Sequence, residues 1–436
     1  MNISKVNKMT DSTTVRNTNS INIDDIVAEG DRELSPIFAE IDRISAINTA
    51  RVLDAFREEK VSDSMFASTS GYGYDDRGRD TLDKIYARVF GAQSAFVRHS
   101  IASGTHTLAI ALFGILRPGD ILLSVTGKPY DTLDEVIGIR GECGRGSLSD
   151  FGVKYEQVEL TPDGDVDLPA IKKRLDELSG KVKVAFIQRS KGYLNRRTLS
   201  CDDIRKICDL VHSCSNAIVF VDNCYGEFTE TCEPTAVGAD LMAGSLIKNP
   251  GGGMAESGGY IAGRADLVEL CGYRFTAVGV GLEIGATLGN NKSLYKGFFY
   301  APHTVAQAIK TAHLASYVFD KLGYETEPAW NEKRYDIIQT VKCASREAMI
   351  ALCRGIQYAS PVDSFVDCEP WAMPGYSDEV IMAAGTFTQG SSVELSADGP
   401  VKAPYTVYIQ GALTYESGKI GIMSAAKEVL KSQKKS

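Results

Sequence analysis

The chain has 436 residues, of which 44% are hydrophobic, and it carries a formal net charge of −9. This length and apolar content allow a large buried core and more than one domain, which excludes a wholly disordered protein. The acidic balance argues against a nucleic-acid-binding surface, and no run of 18 apolar residues is present that would cross a bilayer. We therefore expect a globular protein whose partner is a small molecule.

The N-terminal segment and the cysteines indicate the compartment. Residues 1–20 are rich in Ser, Thr and Asn and lack the apolar block of a secretion signal, so we expect a disordered tail. The ten cysteines contain no C-x-x-C pair, and the five histidines lack metal-ligand spacing. We predict that the protein has no metal site and resides in the reducing cytoplasm.

The segment 81–263 alternates helical patterns with short apolar runs, which is typical of an α/β fold with a mostly parallel sheet and helices on both faces. The apolar runs predict strands at residues 121–125, 182–188, 217–222 and 258–262. Between the last two, small residues and a Gly cluster within residues 240–253 break the periodicity.

The pattern changes after Pro302. A long helix is predicted at residues 304–322, and antiparallel strands are predicted at residues 380–387, 392–396 and 405–413. We therefore expect an N-terminal arm and large domain over residues 21–304 and a smaller α+β domain over residues 305–436.

The sequence SGTHT, immediately before a predicted helix, is a candidate phosphate-binding loop. Ser103 and Gly104 stand where free backbone N–H groups and the helix dipole bind anions, and Thr105 adds a hydroxyl donor. Taken alone, the same residues are more often an ordinary helix cap.

Two further candidate ligand-binding residues, Asp222 and Lys248, come later in the chain. Asp222 ends the run AIVFVD, at the strand edge where open α/β sheets bind ligands, although an Asp there also caps turns. Lys248 lies in GSLIKNPGGG, an almost uncharged and glycine-rich context that desolvates an amine and lowers its pKa. Ser245, three residues earlier, is within reach of a phosphate.

Aromatic and arginine side chains complete the set. Tyr130 in GKPYDT is a candidate for stacking on a flat ring, although Tyr is more often a core residue. The loop GYGYDDRGR adds Tyr72, Tyr74 and Arg77, and arginine binds phosphates or carboxylates in pairs of hydrogen bonds. Together these elements supply what pyridoxal 5'-phosphate requires, and we predict that it forms a Schiff base with Lys248.

These motifs, with IQRSKGY, FVDNCYGEF, MPGYSDEVIMAAGTF, ELSADGP and YIQGALTYE, resemble the aluminium-resistance family of pyridoxal phosphate proteins, relatives of methionine gamma-lyase and the cystathionine lyases. The likeness spans residues 71–422. It implies fold type I, the aspartate-aminotransferase-like architecture, with a site completed across a homodimer or homotetramer.

The resemblance also implies a role for each matching residue. Lys248 corresponds to the Schiff-base lysine and Asp222 to the partner of the pyridine nitrogen. Tyr130 corresponds to the stacking aromatic residue. The residues implied to contact phosphate are Gly104, Thr105 and Ser245 within the chain, and Tyr72 or Tyr74 with Arg77 reaching into the neighbouring subunit.

Several positions depart from the pattern expected of the family. They are Asn195, Glu256, Ser257, Val278, Leu282 and Lys402. The substrate-carboxylate arginine of the lyases is not found in the segment YTVYIQGAL, which leaves Lys402, Arg77 and Arg189 as the candidates.

The predicted function is a lyase that eliminates a β- or γ-substituent from an L-amino acid, with Lys248 and Tyr130 moving protons and Asp222 anchoring the ring. Alternatives remain open at this point: elimination of a non-sulfur group such as halide, an aminotransferase or decarboxylase, a non-catalytic cofactor-binding protein, or an α/β protein without a cofactor.

Overall fold

The computed structural model describes residues 22–194, 196–343, 345–373, 376 and 378–433. The disordered tail expected at residues 1–20 and the departure at Asn195 lie outside the described residues. Within those ranges, none of the helices combines the length and apolar character needed to cross a bilayer.

A seven-stranded sheet forms the centre of the larger domain. Its strands are β1 (Ser94–Arg98), β2 (Ile121–Ser124), β3 (Lys154–Gln157), β4 (Val182–Gln188), β5 (Ile218–Asp222), β6 (Leu241–Ser245) and β7 (Gly259–Gly263). Their spatial order is β1-β7-β6-β5-β4-β2-β3. The two pairs that β7 makes are antiparallel and the other pairs are parallel, which confirms the predicted mostly parallel sheet.

The described residues also form eleven α-helices. They are α1 (Ile23–Glu33), α2 (Ser35–Glu58), α3 (Arg77–Phe90), α4 (Gly104–Ile115), α5 (Asp134–Ile137), α6 (Leu168–Glu177), α7 (Cys201–Cys214), α8 (Ala265–Phe275), α9 (Asn291–Lys321), α10 (Arg346–Tyr358) and α11 (Tyr415–Gln433).

Alternate residues of β5 pack against different layers of helices, because successive side chains of a strand point to opposite faces of the sheet. Val219 and Val221 join the core beneath α2, α3 and α7, whereas Ile218 and Phe220 join the core beneath α4 and α8. Each of these fully buried side chains contributes about 1.5–3 kcal/mol. Both faces of the sheet are therefore covered, as predicted.

The four strands predicted in the large domain are confirmed to within one residue at each end. A further strand, β6, was not predicted, because it lies within residues 240–253, where the periodicity of the sequence breaks. All five residues of β6 are buried, and a strand covered on both faces shows no alternation of apolar and polar residues.

The smaller domain contains a five-stranded antiparallel sheet. Its strands are β8 (Glu325–Glu327), β9 (Ile338–Lys342), β10 (Val380–Ala383), β11 (Ser396–Pro400) and β12 (Thr406–Gln410), in the spatial order β10-β11-β12-β9-β8. The strand predicted at residues 392–396 is wrong, because β11 begins where it should end. Instead, the backbone N–H of Val393 donates to the carbonyl of Ile247, next to Lys248.

Helix α9 connects the two domains, and it differs from the predicted helix in its start. It spans 31 residues and contains Pro302, so the boundary expected between residues 304 and 305 falls inside it. Helix α1 also differs from the expected arrangement, since Ile23 and Val27 pack into the core of the smaller domain. The N-terminal arm therefore contributes to both parts of the molecule.

Candidate active site

The loop after β6 carries Lys248 and is fixed by close backbone packing. A Cβ atom at Gly251 would stand 1.7 Å from the carbonyl oxygen of Leu246. A Cβ atom at Gly252 would stand 2.3 Å from the carbonyl oxygen of Gly297 in α9. Side chains at either position would push the loop away from its support, so the glycine run sets where Lys248 stands.

Lys248 lies in a cavity between the two domains. Its Nζ is 3.4 Å from the centroid of the Tyr225 ring. Burial lowers the pKa of Lys248, and the nearby Cys224 and Asp222 oppose this shift in part. Because burial has the larger effect, the neutral amine that attacks a carbonyl group is present at lower pH than for a surface lysine.

Asp222 is held at the carboxyl end of β5, beside Gln188 at the end of β4. Its side chain is buried, and the backbone N–H of Cys224 donates to its Oδ1 over 3.1 Å. Burial raises the pKa of Asp222, whereas the Cys224 hydrogen bond and the charge of Lys248 lower it. A protonated ring nitrogen placed here would stabilise the buried carboxylate.

The start of α4 and the end of β6 form a polar pocket. Ser103 caps α4 by accepting a backbone hydrogen bond over 3.1 Å, and a Cβ atom at Gly104 would lie 3.4 Å from the Cβ of Ser245. The Oγ of Ser245 is buried and has no hydrogen-bond partner among the described residues. The Oγ1 atoms of Thr105 and Thr132 are 2.7 Å apart. A free hydroxyl beside a helix N-terminus fits a phosphate group.

A group of tyrosines forms one wall of the cavity. The hydroxyl of Tyr130 is 2.9 Å from that of Tyr376, and the ring centroids of Tyr130 and Tyr193 are 5.9 Å apart. Gly192 packs on the Tyr130 ring, since a Cβ atom there would stand 3.0 Å from its Cδ2. Tyr130 therefore has a fixed position in the cavity, and its hydroxyl is linked to a second tyrosine.

The cavity that joins these side chains has a volume of about 510 Å³. This volume suits a ring cofactor together with a small substrate. The sequence-predicted residues that the structure brings together in its lining are Ser103, Gly104, Thr105, Tyr130, Asp222, Ser245 and Lys248.

The smaller domain adds a buried carboxylate that the sequence reasoning missed. Asp398 in β11 accepts hydrogen bonds from the hydroxyls of Tyr193 and Ser391 over 2.7 and 2.8 Å, and from the amide of Gln410 over 2.9 Å. Burial raises the pKa of Asp398, and Tyr193, Ser391 and Lys248 lower it. The motif ELSADGP contains Asp398 and was the one available signal for it.

Two predicted substrate-binding residues lie elsewhere. Arg189 is fully buried outside the cavity, where it donates to Asn223 and Glu230 over 2.8 Å each. Lys402 is exposed and forms an ion pair with Asp378, and it lines a smaller cavity that shares Tyr130 and Tyr376 with the first one. These placements argue against the prediction that either side chain binds the substrate carboxylate, because both cations already have carboxylate partners.

Tyr72, Tyr74 and Arg77 do not line the cavity of their own chain. The two tyrosines are 69% and 62% exposed, and their rings stack with centroids 5.5 Å apart. Arg77 is exposed at the start of α3. Exposed aromatic residues of this kind are enriched in protein interfaces, and the contact of this loop with a neighbouring subunit stays a prediction.

Pyridoxal 5'-phosphate fits the cavity at three separate points. The amine of Lys248 suits its aldehyde, the carboxylate of Asp222 suits its ring nitrogen, and the unpartnered hydroxyl of Ser245 suits its phosphate. The mostly parallel sheet, the small antiparallel domain and this cavity between them define the fold type I class of pyridoxal phosphate proteins.

The chain belongs to the methionine gamma-lyase family, whose model matches residues 23–430. It is 52% identical over 406 residues to the uncharacterized protein YnbB of Bacillus subtilis (strain 168), covering 93% of this chain and 96% of that protein.

Solved structures show the same relationship. A Listeria innocua protein described as involved in aluminum resistance has a TM-score of 0.90 and 52% identity, covering 94% of this chain and 99% of its own. A carbon-sulfur lyase involved in aluminum resistance from Clostridium novyi NT has a TM-score of 0.89 and 49% identity, covering 92% and 94%. These relatives confirm the resemblance seen in the sequence motifs. The pyridoxal-5'-phosphate dependent protein YhfS from Escherichia coli, at 17% identity and a TM-score of 0.59, shares the fold alone.

Proposed function

We propose that this chain is a pyridoxal phosphate-dependent lyase that removes a β- or γ-substituent from an L-amino acid. The observation that carries the proposal is the buried amine of Lys248, which lies over the Tyr225 ring in the cavity that also contains Asp222. The family membership supports lyase chemistry, and the Clostridium novyi relative, described as a carbon-sulfur lyase, supports a thiolate leaving group.

When bound, the cofactor supplies an electron sink for negative charge at the substrate α-carbon. Asp222 keeps the ring nitrogen protonated, which that electron sink requires. Lys248 would hold the cofactor through its aldehyde, and its free amine would take the α-proton of the substrate as a general base. Its lowered pKa makes the neutral form available for this step.

Elimination needs a second proton transfer, to the leaving group or from the β-carbon. Tyr130 is suited to it because its hydroxyl is 2.9 Å from that of Tyr376, which gives the proton a route between two donors. Burial raises the pKa of Tyr130 well above its ordinary value, so the hydroxyl stays protonated and is able to donate a hydrogen bond to the leaving group. Lys248 would serve the β-carbon in a γ-elimination.

We also propose that the protein is a cytoplasmic homodimer or homotetramer. The ten cysteines of the chain are free thiols, which suits a reducing compartment. The exposed pair Tyr72 and Tyr74, with Arg77, suits a contact with the phosphate end of the neighbouring cavity. Sedimentation of the wild type and Arg77→Ala, each with and without the cofactor, tests this arrangement.

Substrate screening by mass spectrometry in deuterated water tests the proposed reaction. We expect a keto acid, ammonia and a released side-chain group from at least one amino acid. Deuterium at the β-carbon of recovered, unreacted substrate would indicate γ-elimination, because that reaction removes a β-proton before the leaving group departs, whereas uptake at the α-carbon alone would contradict that variant. Stable conversion of the cofactor to its amine form would contradict elimination and indicate amino transfer.

A further inference from the structure

Asp398 has no role in the proton transfers proposed above, although it lines the same cavity. We infer that Asp398 selects the substrate by binding a cationic, hydrogen-bond-donating group on the amino-acid side chain. This inference rests on the proposed function and names the class of its substrate: amino acids with a side-chain amine, in preference to neutral or acidic ones.

The carboxylate of Asp398 keeps an open acceptor position. Two carboxylate oxygens offer about four lone-pair directions. Oδ2 accepts from Ser391 and Gln410, whereas Oδ1 accepts from Tyr193. Among the described residues, one acceptor direction on Oδ1 therefore remains for a ligand.

The charge of Asp398 also lacks a dedicated partner in the cavity. Its three hydrogen-bond donors are neutral, and Lys248 is the one basic side chain among the described residues of the lining. Lys248 is committed to the cofactor. Burial raises the pKa of Asp398, whereas a cationic ligand beside it would stabilise the carboxylate form and an anionic ligand would be repelled by it.

Aromatic rings surround the same position. The ring centroids of Tyr193 and Tyr408 are 4.8 Å apart, and those of Tyr193 and Tyr376 are 5.8 Å apart. Ring faces attract ammonium groups, and a carboxylate among several rings forms a cation-binding pocket. This observation is independent of the hydrogen-bond count and points to the same ligand chemistry.

A purely structural role for Asp398 makes a different prediction. If the side chain served only to hold Tyr193 and Gln410, Asp398→Asn would replace one of two acceptor oxygens with a donor, and the rates with cationic and neutral substrates would fall together. Loss of charge recognition would instead lower the rate with cationic substrates relative to neutral ones, so the ratio of the two rates separates recognition from support.

The test measures exchange of the α-proton for deuterium by the holoenzyme, which needs no leaving group. The substrates are pairs matched in shape: 2,4-diaminobutyrate with norvaline, ornithine with norleucine, and glutamate with glutamine. We expect the cationic member of the first two pairs to have the higher kcat/KM, by about tenfold or more for a charge-assisted hydrogen bond, and glutamate to fall below glutamine.

In Asp398→Asn we expect the ratio of kcat/KM between the cationic and the neutral member of each pair to fall to about one, whatever the change in the absolute rates. The matched control is Asp336→Asn, which removes another buried carboxylate of the small domain that does not line the cavity. This control should keep the preference.

Equal rates for matched pairs in the wild type, or a preference that survives in Asp398→Asn, would overturn the inference. Exchange with none of the amino acids would instead contradict the proposed lyase. Calorimetric binding of the same panel then decides the inference, since tighter binding of the cationic members is expected and equal binding would overturn it.

Discussion

The Nζ atom of Lys248 lies 3.4 Å from the centroid of the Tyr225 ring, and the backbone of Tyr225 has a φ angle of 70°. A bulky residue with this φ is strained, so the surrounding contacts must hold it in place. The hydroxyl of Tyr225 donates to the carbonyl of Ser391 over 3.2 Å. The same ring therefore contacts the amine of one domain and the backbone of the other.

Replacing Tyr225 tests whether the ring positions the amine. Tyr225→Phe keeps the ring and removes one hydrogen bond, so the rate of cofactor attachment should change little. Tyr225→Leu removes the ring against which the amine lies, so attachment should slow by clearly more than in Tyr225→Phe. Stopped-flow absorbance after addition of the cofactor measures both rates. Equal slowing in the two variants would assign the effect to the hydroxyl.

Ser245→Ala should weaken binding of the phosphorylated cofactor. The lost hydrogen bond to a charged group predicts a Kd higher by about tenfold or more. Equilibrium dialysis of wild type and variant gives this ratio, and pyridoxal, which lacks the phosphate, is the matched control ligand. A similar loss of affinity for pyridoxal would show that Ser245 acts on the fold or the ring and not on the phosphate.

Asp222→Asn should leave a protein that still takes up the cofactor but cannot keep its ring nitrogen protonated. We expect α-proton exchange to fall by about 10²–10³-fold, the range found when one electrostatic stabiliser is removed from a buried site. Mass spectrometry in deuterated water measures the exchange. Asp222→Glu, which restores the charge with a longer side chain, should recover more activity than Asn. Near wild-type exchange in Asp222→Asn would contradict a role for Asp222 in the mechanism.

Part of the site could not be predicted from the sequence because its residues come from segments that are far apart along the chain. Lys248 was predictable from its glycine run, although the strand before it was not predicted, and Asp222 was predictable because it ends a buried strand. Asp398 and Tyr376 belong to the small domain, and only the packing of the two domains brings them into the cavity that contains Lys248. Arg189 was assigned to the substrate because no sequence pattern reveals its partner Glu230.

The buried Glu227 makes stability dependent on pH. Burial raises its pKa from 4.5 to about 8, and its Oε1 accepts a hydrogen bond from Tyr260 over 2.8 Å. The folded protein binds this proton more tightly than the unfolded chain does. The contribution of Glu227 to the free energy of unfolding is therefore fully present below about pH 4.5 and is lost as the pH rises through about 8.

Glu227→Gln mimics the protonated carboxyl and should remove that loss. Relative to that of the wild type, the free energy of unfolding of the variant should rise by on the order of a few kcal/mol between pH 5 and pH 9. Urea unfolding at a series of pH values measures the difference. Parallel pH profiles for the two proteins would contradict a protonated Glu227.

Covalent capture of the cofactor is the claim on which the mechanism depends. The purified protein is incubated with pyridoxal 5'-phosphate at neutral pH, reduced with borohydride, digested and sequenced by mass spectrometry, with Lys248→Ala and the exposed-site variant Lys173→Ala in parallel. We predict a phosphopyridoxyl group on Lys248 in the wild type and in Lys173→Ala, and none at that peptide in Lys248→Ala. An unmodified Lys248 in protein saturated with the cofactor, or equal labelling of surface lysines, would contradict the account.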